Sequence, residues 1–219
     1  MRPLIAVAHG SSHPEASATV AALARQVTRL APVIDVSVAF VQHAHPSLPE
    51  ALAHAGSDAV IVPLLLSTGY HLTTDIASAA GAARKVAGPL GPDQLLVTAL
   101  LSRLANAGVP GGTPVVLAAA GSADPKAAEQ VAAQAKLLAE ARSAPVKVAF
   151  AAAGQPTVPD AVRDLRALTG AQVAVASYLL TQGHFQDQLA KAGADWVTDP
   201  LGDHPAVAAL VIDRYRTAA

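Results

Sequence analysis

Eight histidines and no cysteine set the terms for any chemistry in this 219-residue chain. Without thiols there is no disulfide, no thiolate nucleophile, no iron–sulfur cluster and no cysteine zinc site, so imidazole and oxygen must hold any metal. His9 directly follows the apolar run Leu4–Ala8, and His71 lies a few residues beyond the apolar run Ala59–Leu66. Two imidazoles brought together suit a divalent first-row ion; taken singly, each ring reads as a hydrogen-bonded loop residue. Gly10-Ser11-Ser12 and Ser67-Thr68-Gly69 flank them, each read as opening the helix that follows. Backbone N–H groups there favour anions, and the same residues serve as ordinary helix caps. A further segment, Gln42-His43-Ala44-His45, follows Phe40. Its imidazoles read either as bases near neutrality or as solvated loop residues beside Pro46.

These side chains must be positioned by elements that the apolar pattern predicts. The runs Leu4–Ala8, Ile34–Val41, Ala59–Leu66 and Lys85–Ala87 are continuous rather than alternating, as parallel strands covered on both faces are. Between and after them lie predicted helices over Pro14–Leu30, Ser47–Ala55, Thr73–Arg84 and Asp93–Ala107. Four β-α units joined by right-handed crossovers make a small α/β sheet. With strand order 2-1-3-4, His9 and the approach to His71 fall at the point where strand order reverses, outside the strands' carboxyl ends. Neighbouring strands lie ~4.8 Å apart, close enough for two imidazoles there to meet one ion.

The pattern occurs twice. Leu4–Pro14 aligns with Val115–Pro125, and Gly10, Ser11, Pro14 and Val20 fall on Gly121, Ser122, Pro125 and Val131. Val38–Phe40 matches Val148–Phe150, Leu65–Gly69 matches Leu179–Gly183, and Pro89-Leu90-Gly91 matches Pro200-Leu201-Gly202, with Arg103 on Arg214. The fold expected is therefore α/β, with two tandem homologous four-stranded parallel-sheet halves, flavodoxin-like in plan. Their expected bounds are 1–110 and 111–219, with the Gly- and Pro-rich stretch 108–114 as linker. The copies are not chemically equal. Ala120 stands where the first copy has His9, and the position of His71 falls on Phe185 or, in another register, on His184. The first half is thus expected to carry the chemistry and the second to support it.

The chain is 52% hydrophobic and 14% charged, which excludes disorder, and at 3% aromatic its core must be built from Ala, Val and Leu. A net charge of −1 gives no general attraction to nucleic acid or anionic lipid. No apolar run approaches the ~20 residues of a membrane span, and no secretory leader is visible, so a cytoplasmic protein is expected. Nucleotide-binding glycine patterns are absent and no need for ATP is expected. Asp75 reads as a first-turn helix acid or as a carboxylate orienting His71. Tyr178 and Trp196 are expected in packing, and Arg84, Arg103 and Arg214 on solvated helix faces.

Ala8-His9-Gly10-Ser11 after the first strand, Pro63 to His71 after the third, and the Pro-Leu-Gly turns resemble the class II tetrapyrrole chelatases, most of all the sirohydrochlorin chelatases. The resemblance covers nearly the whole chain, including the duplication. It implies insertion of Fe²⁺ or Co²⁺, with Ni²⁺ a further candidate, into a tetrapyrrole for siroheme or cobalamin formation. It implies His9 and His71 as catalytic metal ligands, and Gly10, Ser11, Ser12, Gln42, His43, Ser67, Thr68 and Gly69 as substrate-binding residues. No cofactor beyond the metal substrate is implied, and a crevice within one chain makes a monomeric pseudo-dimer the expected state. Many relatives place a glutamate after the phenylalanine that ends the second strand; this chain has Gln42, which cannot accept a proton. Two other classes remain open on the residues alone: an anion-binding module and a metal carrier without insertion chemistry.

Overall fold

The computed structural model describes residues 1–69, 71–81 and 85–219, and the side chains of all these except residues 71–73. Two four-stranded, all-parallel sheets are present. In the first, β1 (Leu4–Ala8) lies between β2 (Val36–Phe40) and β3 (Val60–Pro63), with β4 (Lys85–Val86) beyond β3. In the second, β5 (Val115–Gly121) lies between β6 (Val146–Ala153) and β7 (Ala174–Tyr178), with β8 (Trp196–Val197) beyond β7. The expected order 2-1-3-4 therefore holds in both sheets.

Helices α1 (Pro14–Leu30), α2 (Leu48–Ala55) and α4 (Gln94–Asn106) fall within a residue of the ranges predicted for them. The third differs. A π-helical segment, His71–Ile76, leads into the single turn α3 (Ala77–Ala80), and Gly81 at φ +68° ends it before the predicted Arg84. The later helices are α5 (Pro125–Arg142), α6 (Val158–Thr169), α7 (His184–Leu189) and α8 (Pro205–Ala218). Their starts follow from local chemistry. Asp124, Thr157 and Asp93 accept backbone N–H bonds as N-caps of α5, α6 and α4, and Ser47 with Glu50 forms a reciprocal capping box on α2.

The chain divides into two compact units, residues 1–90 with 202–219, and residues 91–201. These are not the halves of the repeat expected at 1–110 and 111–219. Helix α4, from the first copy, groups with the second sheet, and α8, from the second copy, groups with the first. In the first unit, Ile5, Val7, Ala39 and Ile61 pack with Leu48, Leu52, Ile76 and Ala80 on one face of the sheet. On the other face α8 packs against α1 and β3. In the second unit, Val116, Ala118 and Val175 pack with Val158, Val162, Leu165 and Leu189, while α4 packs against α5 and β7. The stretch 108–114 does not join the units. Its Thr113 carbonyl accepts from Arg142 of α5 at 3.0 Å, which fixes it within the second unit.

Arginines hold the crossed helices. In the first unit Arg214 of α8 donates to the carbonyls of Pro89 (2.9 Å) and Leu90 (2.6 Å). In the second, Arg103 of α4 donates to the Leu201 carbonyl at 2.8 Å. The expectation that these two arginines sit on solvated faces is therefore corrected: both are part-buried, because turn carbonyls removed from water need donors. Arg84 lies outside the described residues. Tyr178 is buried in β7 and Trp196 is half-buried in β8. The second unit adds a buried polar tie. Gln134 of α5 accepts from the Asp93 N–H (2.8 Å) and donates to its carbonyl (3.2 Å), pinning the start of α4.

Replacing Arg214 with Met keeps the apolar stem but removes the donors, leaving two turn carbonyls unpaired. The expected loss is about 1–3 kcal/mol, read by urea denaturation. An unchanged midpoint would show that water replaces the guanidinium without penalty.

Candidate functional site

The site candidates gather at the carboxyl end of the first sheet. Parallel register brings them there: Ala8 of β1 pairs with Phe40 of β2, and Val7 with Pro63 of β3. The ladder runs on past the strands, with Val41 N–H donating to the Ala8 carbonyl and Gln42 N–H to the His9 carbonyl, each at 3.0 Å. His9 and Gln42 are therefore neighbours by backbone pairing. Gly10 tightens this. Its φ is +91°, and a Cβ there would lie 1.7 Å from the Gln42 carbonyl oxygen, so only glycine fits. The second copy repeats the device, with Gly121 at φ +94° against the Ala153 carbonyl.

The His9 ring is held at both nitrogens. Nδ1 lies 2.9 Å from the Gly10 carbonyl, which can only accept, so Nδ1 carries the proton. Nε2 of this neutral tautomer is then an acceptor, and the Gln42 side-chain amide donates to it at 2.9 Å. The Nε2 lone pair is thus aimed at the loop after β2 and covered by an amide. The ring of His43 faces His9 with centroids 6.5 Å apart and planes tilted by 42°. His43 and Gln42 are exposed, and His9 is half-buried.

The other expected residues are placed as follows. The backbone of His71 begins the π-helical segment, while its side chain lies outside the described residues, as does Tyr70 entirely. Ser67, Thr68 and Gly69 form a half-buried bend after β3. Gly10-Ser11-Ser12 does not open α1, contrary to expectation. Pro14 takes the first helical position and His13 stands before it as the N-cap in extended conformation, because proline disfavours a helical predecessor. The Ser11 hydroxyl instead accepts from the His13 N–H at 3.1 Å. Among the described residues no three metal-ligating side chains converge.

His45 and Glu50 lie at the far end of the same loop. Glu50 accepts from the Ser47 N–H (2.6 Å) and hydroxyl (2.8 Å), with His45 at 3.2 Å. The Ser47 N–H, then its hydroxyl, then His45 lower the Glu50 carboxyl from 4.5 to about 2. His45 is thereby engaged in anchoring the loop. Sequence reasoning missed two things: the amide of Gln42 on His9, and the arginine clamps. The signal for the first was the register Ala8–Phe40, which sets residue 42 beside residue 9. For the second it was the recurrence of Arg103 and Arg214 with the two Pro-Leu-Gly turns.

Comparison with known proteins adds the following. A family model described as CbiX matches residues 3–107 and again residues 114–218. SirB from Bacillus subtilis, solved with Fe³⁺, is 25% identical with a TM-score of 0.82, covering 99% of this chain and 95% of that one. A CbiX described as the terminal enzyme for biosynthesis of siroheme in denitrifying bacteria is 26% identical with a TM-score of 0.76, covering 100% of both chains. A cobalt complex of the sirohydrochlorin chelatase SirB from Bacillus subtilis subspecies spizizenii, at 22% identity and a TM-score of 0.79, shares the fold, covering 99% of this chain and 94% of that one. No curated protein matches by sequence. No helix among the described residues is long and apolar enough to cross a membrane.

Two outcomes follow from this geometry. Gly10→Ala should destabilise the first unit by roughly 2–4 kcal/mol, since both the positive φ and the Gln42 carbonyl oppose a Cβ; thermal denaturation reads it. The lowered Glu50 carboxyl contributes stability that is fully present above its unfolded value. That contribution is lost as pH falls from about 4.5 toward about 2. An acid-unfolding profile of Glu50→Gln should lack this segment of the wild-type curve.

Proposed function

The chain belongs to the CbiX family, and from that premise we propose that it is a sirohydrochlorin chelatase, inserting a divalent metal ion into the macrocycle. The observation that carries the reading is a fixed imidazole at the switch point of the first sheet, in a chain that matches the family twice. His9 is held by the Gly10 carbonyl in the tautomer that presents Nε2 as a lone pair.

Insertion exchanges one divalent cation for two pyrrole protons, so charge is conserved while the ion changes ligands. The protein must therefore hold the ion without trapping it. Neutral imidazoles do this for Fe²⁺, Co²⁺ and Ni²⁺, and the ranking among these ions follows geometry and supply rather than ligand type. His9 and His71 are assigned as the metal ligands. The Gln42 amide occupies His9 Nε2 and must swing away as the ion arrives. Gln42 carries no base, so protons pass to water or to a neighbouring imidazole. The macrocycle's carboxylates are assigned to Gly10–Ser12 and to Ser67–Gly69, whose hydroxyls and backbone N–H groups are of the donor type such groups require.

The second copy supports this division. Ala120 follows Ala119 of β5 where the first copy has His9, while the glycine-to-carbonyl contact is kept. The scaffold is duplicated and the imidazole is not.

The test is an anaerobic absorbance assay with purified protein, sirohydrochlorin and Fe²⁺, Co²⁺ or Ni²⁺ in separate reactions. Metal-dependent spectral change faster than the protein-free control is expected. His9→Ala and His71→Ala should each abolish the acceleration while the thermal transition persists, and His184→Ala should leave it intact. Full activity in either of the first two variants removes that residue from the mechanism; no acceleration with any ion removes the chelatase reading.

A further inference from the structure

His43 is unlike the other histidines with described side chains. Its φ of +63° lies in the left-handed region, where side chains other than glycine are uncommon. In the first copy the Gln42 carbonyl faces Gly10 and the next residue is His43; in the second, where the β5–β6 register shifts between Ala119 and Gly121, the Ala153 carbonyl faces Gly121. Counted from the matched Phe40 and Phe150, residue 43 corresponds to Ala153, which has no positive φ and no imidazole. The left-handed backbone at this point of the loop belongs to the first copy.

Local bonding does not account for that choice. Among the described residues the His43 ring makes no hydrogen bond. Most of the other rings do: His45 Nδ1 lies 3.2 Å from Glu50 Oε2, His54 Nδ1 lies 2.7 Å from the Glu50 carbonyl, and His204 Nδ1 accepts from the Ala206 N–H at 3.1 Å; His13 Nδ1, which is buried, is the exception. What His43 faces is His9. The second copy, with Ala153 at the matching point, also has Ala120 in place of His9, so it lacks both imidazoles.

We propose that His43 is a metal ligand, receiving the incoming ion with His9 from the β2 side. The inference rests on the reading of His9 as a ligand. With metal–nitrogen bonds of ~2.1 Å, each ring centre stands about 3 Å from a bound ion. A pair of rings 6.5 Å apart then needs only side-chain rotation to share one. His43 is exposed and able to rotate, and departure of the Gln42 amide frees His9 Nε2 to join it. The left-handed backbone is what turns residue 43 back toward β1.

The metal alone is the probe. Calorimetric titration of the intact chain with Co²⁺ should give one site, and His43→Gly should weaken it about tenfold or more. The same variant relieves the backbone, so its Tm should be unchanged or higher. Unaltered Co²⁺ affinity in folded His43→Gly overturns the proposal. A second measurement needs no variant: on Zn²⁺ titration of histidine-labelled protein, the ring ¹⁵N resonances of His43 should move together with those of His9. Movement of His9 alone, or uptake of neither ion, overturns it equally. Metallation of sirohydrochlorin by a His43→Gly protein of normal Co²⁺ affinity would leave the chelatase standing without this ligand. A His43-dependent Co²⁺ site without metallation would leave the ligand and remove the chelatase.

Discussion

A glycine pressed against the exit of the neighbouring strand is the contact on which the site depends. Gly10 touches the Gln42 carbonyl so closely that no side chain can be accommodated. This holds the ends of β1 and β2 in register for two residues beyond the strands. Everything chemical then follows from adjacency along backbone. His9 sits next to Gln42, its tautomer is set by the Gly10 carbonyl, and His43 is delivered by the residue that follows. A polar site on two exposed loops gains its order from main-chain pairing rather than from burial.

The duplication acts as an internal control on that arrangement. Both copies preserve strand order, the glycine-to-carbonyl contact and the bridge by which the phenylalanine of the second strand pairs with the residue capping the next helix, Phe40 with Ser47 and Phe150 with Thr157. These are requirements of the fold, because they persist where the imidazoles do not. Glu50 and Asp160 belong to the same scaffold set. Each stands at the third position of its helix, with its carboxyl lowered chiefly by bonds from the capping residue, Ser47 or Thr157. What differs between the copies at these positions is chemistry.

Much of the architecture was legible in the sequence because parallel strands buried on both faces leave continuous apolar runs. Leu4–Ala8 and Pro14–Leu30 were bounded by such a run and by a proline at the first helical position. The segment after β3 was less legible: a helical pattern cannot distinguish π from α hydrogen bonding, and Gly81 ended it early. Of the site, His9 and Gln42 could be singled out by type and position, but not the bond between them, which depends on strand register. The partners of Arg103 and Arg214 were illegible for a different reason. The partners are 98 and 124 residues apart in sequence, and only the exchange of α4 and α8 between the sheets brings them together.

That crossing has a bearing on how such a chain can be assembled. A break in the 108–114 loop would part the repeats but strip one covering helix from each sheet, with α8 and α4 each left on the other fragment and α1 and α5 without the helix they pack against. Two separate fragments would have to trade helices, and their union would depend on concentration. Covalent linkage converts the trade into an intramolecular event, with an effective concentration set by the short connecting stretch. In the fused chain neither helix can diffuse away from the sheet it covers. The second copy, which has no counterpart of His9, still supplies the helix that packs on the first sheet.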